Sequence, residues 1–141
     1  MPSNTIALVK ESLGWVAPIS EQAADIFYGR LFEMAPDLKP LFKGDMKEQG
    51  RKLMATIAVV VNSLDRFDEV LPAVKALAVR HAGYGVRDAH YDTVGQALLW
   101  TLAAGLGERF SDEHRAAWSE TYGTLSGIMR SAAIEAPSAA E

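Results

Sequence analysis

The stretch LAVRHAGYGV, residues 77–86, places a histidine near the end of a run that is otherwise apolar. Counting back from His81 at helical spacing gives Leu77, Val74, Ala73 and Val70. A basic ring therefore sits on the greasy side of a helix. Gly83 and Gly85 stop that helix just after it. What the ring touches is the question the rest of the sequence has to answer.

The bulk properties narrow the field. At 141 residues the chain fits one domain, residues 1–141. A domain of about 150 residues buries roughly 70% of its unfolded surface, so a proper core is available. Hydrophobic residues make up 49% and charged residues 23%, as in ordinary soluble globular proteins. There is no cysteine, which excludes disulfides, thiolate metal sites and cysteine nucleophiles. A net charge of −4 without a basic cluster argues against nucleic acid as a partner. The start, MPSNTIALVKESLGWV, lacks a basic-then-apolar signal pattern. The longest apolar run, ATIAVVV, falls far short of the ~20 residues a bilayer span needs. The expectation is a soluble, cytoplasmic protein with no membrane partner. Its small, polar end, APSAAE, predicts a disordered tail over about 134–141.

Everything before that tail reads as helix. The first helix is expected over 4–16. Pro18 interrupts the chain, and Ser20 before Glu21 looks like the cap of a second helix over 21–34. PDLKPLF has room for one short helical turn. In KGDMKEQG, Asp45 and Glu48 form a capping box, with Asp45 accepting from the Glu48 N–H, and open a helix over 46–63. Further helices are predicted over 67–82, from 88 or 90 to 104, and over 112–133, the last capped by Ser111. No strand alternation and no internal repeat is present. About seven helices of unequal length suggest an irregular all-α fold rather than an up-down bundle.

Three of these helices carry a polar break in an apolar stripe. On 46–63 the stripe is Met46, Gln49, Leu53, Ile57, Val60 and Leu64, broken by Gln49. On 21–34 it is Ala24, Phe27, Tyr28, Leu31 and Phe32, which puts the Tyr28 hydroxyl inside. On 67–82 the break is His81. Each alone has a structural reading, since a lone histidine on an apolar face is usually a satisfied core residue. The other two histidines have polar surroundings: His90 lies in RDAHYD, and His114 in SDEHR, expected in an exposed first turn. If one histidine binds something, it is His81.

A zinc site would need three or four protein ligands, and none lie at ligand spacing. A hydrolase would need a nucleophile beside its base. Haem asks less: the porphyrin supplies four ligands, and the protein adds one axial group and an apolar slot.

The chain also resembles the bacterial globins, above all the single-domain globins related to flavohaemoglobins. The matching stretches are IFYGRLFEMAPDLKPLFKGDMKEQGRKLM, RHAGYGVRDAHYDTVGQALLWTL and AAWSETYGTLSGIM, within about residues 5–130. The resemblance implies a globin fold, helices A, B, C, E, F, G and H in a 3-over-3 arrangement around haem b. It makes His81 the proximal iron ligand and Tyr28 the distal tyrosine. Gln49 takes the distal position on helix E, and Leu53 crowds the sixth site. Phe42 packs on the porphyrin face, and Tyr91 stands behind the proximal histidine. Ile57, Leu77 and Val94 complete the expected cofactor wall. One departure stands out: a glutamate of the family near the end of helix H falls on Ala133 here, and Glu135 comes two residues late.

Several expectations follow from that resemblance. The second nitrogen of His81 finds the Leu77 carbonyl, and with no carboxylate at Ala133 the imidazole pushes weakly on bound O2. Tyr28 and Gln49 donate to polarised O2, and two such bonds slow its release by roughly 100-fold. Arg51 or Lys52 is a candidate propionate partner, although a solvated face is the more ordinary reading of either. The gas ligands are O2, CO and NO. Tight binding suits three tasks: NO dioxygenation with a separate reductase, oxygen storage or transport, and sensing. The competing class is a helical interaction module without a cofactor, and a non-haem iron or bilin-binding protein is more distant.

Overall fold

The structure, a computed structural model, describes residues 3–42, 44–83 and 88–135, without the side chains of 41, 81–83, 88 and 133–135. Six α-helices follow in order: α1 (Ser3–Val16), α2 (Ser20–Met34), α3 (Met46–Asn62), α4 (Phe67–Gly83), α5 (Asp88–Leu106) and α6 (Asp112–Glu135). Short 3₁₀ turns at Ala17–Ile19, Pro36–Leu41, Leu64–Arg66 and Gly107–Arg109 join them. No strand occurs among the described residues.

The element bounds agree with the sequence signals to within two residues, and the differences have local causes. Pro18 does not break the chain. It stands at the start of a 3₁₀ turn, where its missing N–H costs nothing, and the Ser20 N–H bonds the Ala17 carbonyl. Ser20 is thus the first residue of α2 rather than its cap; Ile19 takes the cap position, without a side-chain bond. Asp45 does cap α3, but its carboxylate accepts from the Lys47 N–H at 3.0 Å, one residue earlier than expected. Helix α6 continues through Ala133 to Glu135, two residues past its expected end; the rest of the expected tail, residues 136–141, lies outside the described part.

Two cores hold the helices. In the first, Val9, Leu13 and Val16 of α1 meet Val61, Leu64, Leu102, Leu106 and Trp118. In the second, Phe27, Tyr28 and Leu31 of α2 meet Leu38 and Ala97. Helix α2 crosses α5 and α3, α4 lies against α6, and α1 lies against α6. The α2–α3 crossing is close because of Gly50: a Cβ there would stand 2.9 Å from the Ala24 Cβ. That approach brings Tyr28 on α2 beside Gln49 on α3.

The first core also contains the clearest correction to the sequence reading. His114 is buried, not exposed, at 7%. Its backbone N–H donates to Ser111 Oγ at 3.2 Å, and its Nδ1 accepts from the Ser111 N–H at 3.3 Å. It acts as the return half of a capping box, a role that glutamate or glutamine usually fills. With Nδ1 an acceptor, Nε2 carries the proton and donates to Glu11 of α1 at 2.8 Å. Four polar neighbours in the sequence hid this burial, because the covering residues Glu11 and Trp15 come from the other end of the chain.

Candidate functional site

The second core gathers most of the residues the sequence singled out. Phe42, Leu53 and Val94 pack against Phe27, Tyr28, Leu31 and Ala97. The Tyr28 ring contacts Phe42 edge-on at 5.3 Å, Phe27 edge-on at 5.3 Å, and Phe32 face-on at 5.9 Å. Such packed aromatic pairs fix a ring well. The first helical turn after Pro36 ends at Phe42, so the fixed φ of Pro36 and Pro40 shapes the segment that delivers this ring.

The Tyr28 hydroxyl is the site's polar tip. It donates to the Gln49 backbone carbonyl at 3.4 Å, a long and weak bond. Burial pushes the phenol up to about 12, so it is a neutral donor throughout the physiological range. The Gln49 side chain is half-buried on α3, on the turn before Leu53. Tyr28 and Gln49 are therefore brought together, as the stripes suggested.

The remaining residues fall on three elements. Leu53 and Ile57 are half-buried on one face of α3, and Ile57 packs toward the first core. Leu77 is half-buried on α4, with Val74 and Ala78 buried beside it, while Ala73 is exposed and leaves the stripe. His81 lies in the last turn of α4, at the register of Leu77 and Val74; its side chain is outside the described part, as are the side chains of Ala133 and Glu135. Tyr91 is buried at the start of α5, on the face that Val94 and Leu98 continue. Arg51 and Lys52 are both exposed, and Arg51 lines a groove of ≈140 Å³ with Glu21 and Asp25 of α2.

Sequence reasoning missed what surrounds Tyr91. Tyr122 of α6 donates its hydroxyl to the Tyr91 carbonyl at 2.5 Å. Its ring fills the space over Gly95, where a Cβ would meet ring carbon at 2.7 Å. Arg130, two turns on, lies over the Tyr91 ring at 5.5 Å and bonds Asp92 at 2.7 Å. The only signal in the sequence was a glycine at i+4 from a tyrosine. The partners are 31 and 38 residues away.

A flat macrocycle with one axial ligand fits these residues. Apolar side chains on α3, α4 and α5 stay half-buried, and one phenol reaches the backbone of the half-buried Gln49 beside them. Among the described residues there is no cluster of three or more His, Asp or Glu able to hold a bare metal ion. No described helix is long and apolar enough to cross a membrane.

Comparison with known proteins agrees with this geometry. The family model Globin matches residues 25–129. A flavohemoprotein of Bordetella parapertussis is 32% identical over 126 residues, covering 87% of this chain and 31% of that protein. One from Rhodopirellula baltica is 31% identical over 132 residues, covering 92% of this chain and 32% of that protein. The chain thus spans about a third of the length of these curated relatives. Among solved structures, an engineered carbene transferase of Rhodothermus marinus, named as a nitric oxide dioxygenase, superposes with a TM-score of 0.86 at 24% identity. It covers 96% of this chain and 94% of its own. A bacterial globin from Campylobacter jejuni gives 0.83 at 22% identity, covering 95% and 97%. In order, α1, α2, the turn at Pro36–Leu41, α3, α4, α5 and α6 stand as helices A, B, C, E, F, G and H, and the chain belongs to the globin family.

Proposed function

We propose that this globin holds haem b through His81, binds O2, CO and NO reversibly with high affinity for O2, and serves O2/NO chemistry with a separate reductase. The observation that carries the reading is Tyr28: a buried, protonated phenol among aromatic rings, with a polar tip that its protein partner holds only weakly. A hydroxyl tied down in this way can turn to a better acceptor at small cost.

Haem, when bound, supplies the iron that takes up a diatomic gas and exchanges one electron. The chain does the rest. His81 is the metal ligand, and the Leu77 carbonyl one turn back accepts from its other nitrogen and fixes the tautomer. Phe42, Leu53, Ile57, Leu77, Tyr91 and Val94 exclude water from both faces. Tyr28 and Gln49 donate to a polarised ligand and are the residues on which turnover depends. CO is less polarised and gains less from them. Heteroatom attachment through thioether bonds is not open to a chain with no cysteine, which supports haem b. The nitric oxide dioxygenase named among the structural neighbours and the flavohemoprotein relatives support the NO reading and the need for a reductase. A cytoplasmic location suits that partner. Storage or sensing without turnover is the second reading, favoured only by the weak axial push expected with Ala133.

The test is NO consumption. Haemin-loaded protein in air should give a Soret band that shifts when it is reduced under CO. Protein that is first reduced and then opened to air should consume NO once per haem, and repeatedly only when a flavin reductase and its electron donor are supplied. His81→Ala should abolish the shift. A single turnover that never repeats with the reductase supports the second reading; a chain that takes up no haemin defeats both.

A further inference from the structure

Three contacts converge on the first turn of α5. Tyr122 holds the Tyr91 carbonyl, Arg130 covers the Tyr91 ring at 5.5 Å, and Asp92 holds Arg130 at 2.7 Å. A guanidinium within about 6 Å of a ring centroid makes a genuine cation–π contact. Tyr91 is 8% exposed and lies on the same α5 face as Val94 and Leu98, which pack with Tyr28, Phe42 and Leu53. It is one turn nearer the start of α5, and α4, which carries His81, lies against the same helix α6 that supplies Tyr122 and Arg130. So α6 lays a permanent positive charge on the residue at the proximal end of the cofactor wall.

The charge is not cancelled evenly. The Arg130 side chain is 27% exposed, while the Asp92 carboxylate is 72% exposed. Water and salt screen the outer partner more than the inner one, so this pair contributes a net positive field on its buried side. A positive field opposes a further positive charge on a buried redox centre.

We propose that Arg130 is a positioning residue that seats Tyr91 and, with its charge, raises the one-electron reduction potential of haem held at His81, with Asp92 as the counter-charge that limits the effect. This rests on the haem reading above and adds a tuning element on the proximal side to it. The direction suits a globin that must return to the ferrous state from an external donor.

The experiment is a spectroelectrochemical titration of haemin-loaded wild type, Arg130→Gln, Asp92→Asn and Arg130→Lys. Arg130→Gln should lower the midpoint, cutting the ferrous-to-ferric ratio at fixed potential by up to about tenfold, or about 59 mV for one electron. Asp92→Asn should move it upward, by less. Arg130→Lys should keep the wild-type midpoint while weakening the contact with the Tyr91 ring. Arg30→Gln, which removes a cation that lies 4.1 Å over Trp100 elsewhere on α5, is the charge control and should leave the midpoint in place. A merely structural pair would shift Arg130→Gln and Asp92→Asn in the same direction. That result, or no shift in either, overturns the proposal. If Arg130→Gln fails to hold haem, Asp92→Asn against Arg130→Lys still decides it through the sign of the first. A wild type that takes up no haemin defeats the underlying reading; one that does, with unmoved midpoints, defeats only this inference.

Discussion

The two cores treat their polar groups differently. In the first, three polar links are short. Trp118 Nε1 donates to Ser12 Oγ at 2.7 Å, Ser12 donates to the Leu8 carbonyl at 2.8 Å, and His114 meets Glu11 at 2.8 Å. In the second, the buried Tyr28 hydroxyl reaches its acceptor only at 3.4 Å. Both regions bury aromatic rings against aliphatic side chains, so packing alone does not separate them. The difference teaches that firmly bonded polar groups serve the architecture here, and, on the proposed function, the loosely held Tyr28 hydroxyl is the one left for another molecule.

The sharpest way to break this contrast is in the first core. Trp118→Ala, at a side chain 3% exposed, should cost about 3–5 kcal/mol in urea unfolding. Trp118→Phe should recover most of it. Gly95→Ala should come next, because the new Cβ meets the Tyr122 ring; overpacking of this kind costs about 1–3 kcal/mol. It should also disturb the cofactor's absorption, since Tyr122 holds Tyr91. By contrast, Tyr28→Phe should change stability by less than about 1 kcal/mol, because the bond it removes is long. Its effect belongs to ligand release: stopped-flow O2 dissociation should quicken roughly tenfold, with CO dissociation changed far less. Equal effects on both gases, or a large loss of stability, would erase the distinction between the cores.

The smallest effect is on pH. Burial raises the Tyr28 phenol to about 12 from 10.0, so folding favours the neutral form. The stability this gives is complete below pH 10 and is lost as pH rises through about 12. Tyr122, which burial holds higher still, acts in the same direction. Denaturation curves of Tyr28→Phe should therefore fall less steeply than wild type above pH 10.

Much of this was legible beforehand, and the reason is locality. Gly83, Asp45 and Ser111 punctuate helices within a few residues of themselves. Tyr28 and Gln49 announced themselves by breaking stripes on their own helices. The groups that escaped notice act at a distance. His114 is buried by residues about a hundred positions away, and Arg130 acquires its meaning only when α6 is laid across the start of α5. A charged side chain among small residues reads as a solvated face until the opposing helix is known. Arg51 and Lys52 show the same limit on a smaller scale: adjacent in sequence and both exposed, they differ only in that Arg51 borders the groove between α2 and α3.

Thr5, Glu11 and Ser12 of α1 all bond residues of α6, namely Glu120, His114 and Trp118, at sequence separations of 115, 103 and 106. During synthesis α1 leaves the ribosome more than a hundred residues before these partners on α6 are made. Its bonds to α6 must wait while the helices between are translated. The first core therefore closes late, and nascent chains stalled before α6 emerges should be open to proteases and chaperones through that waiting helix.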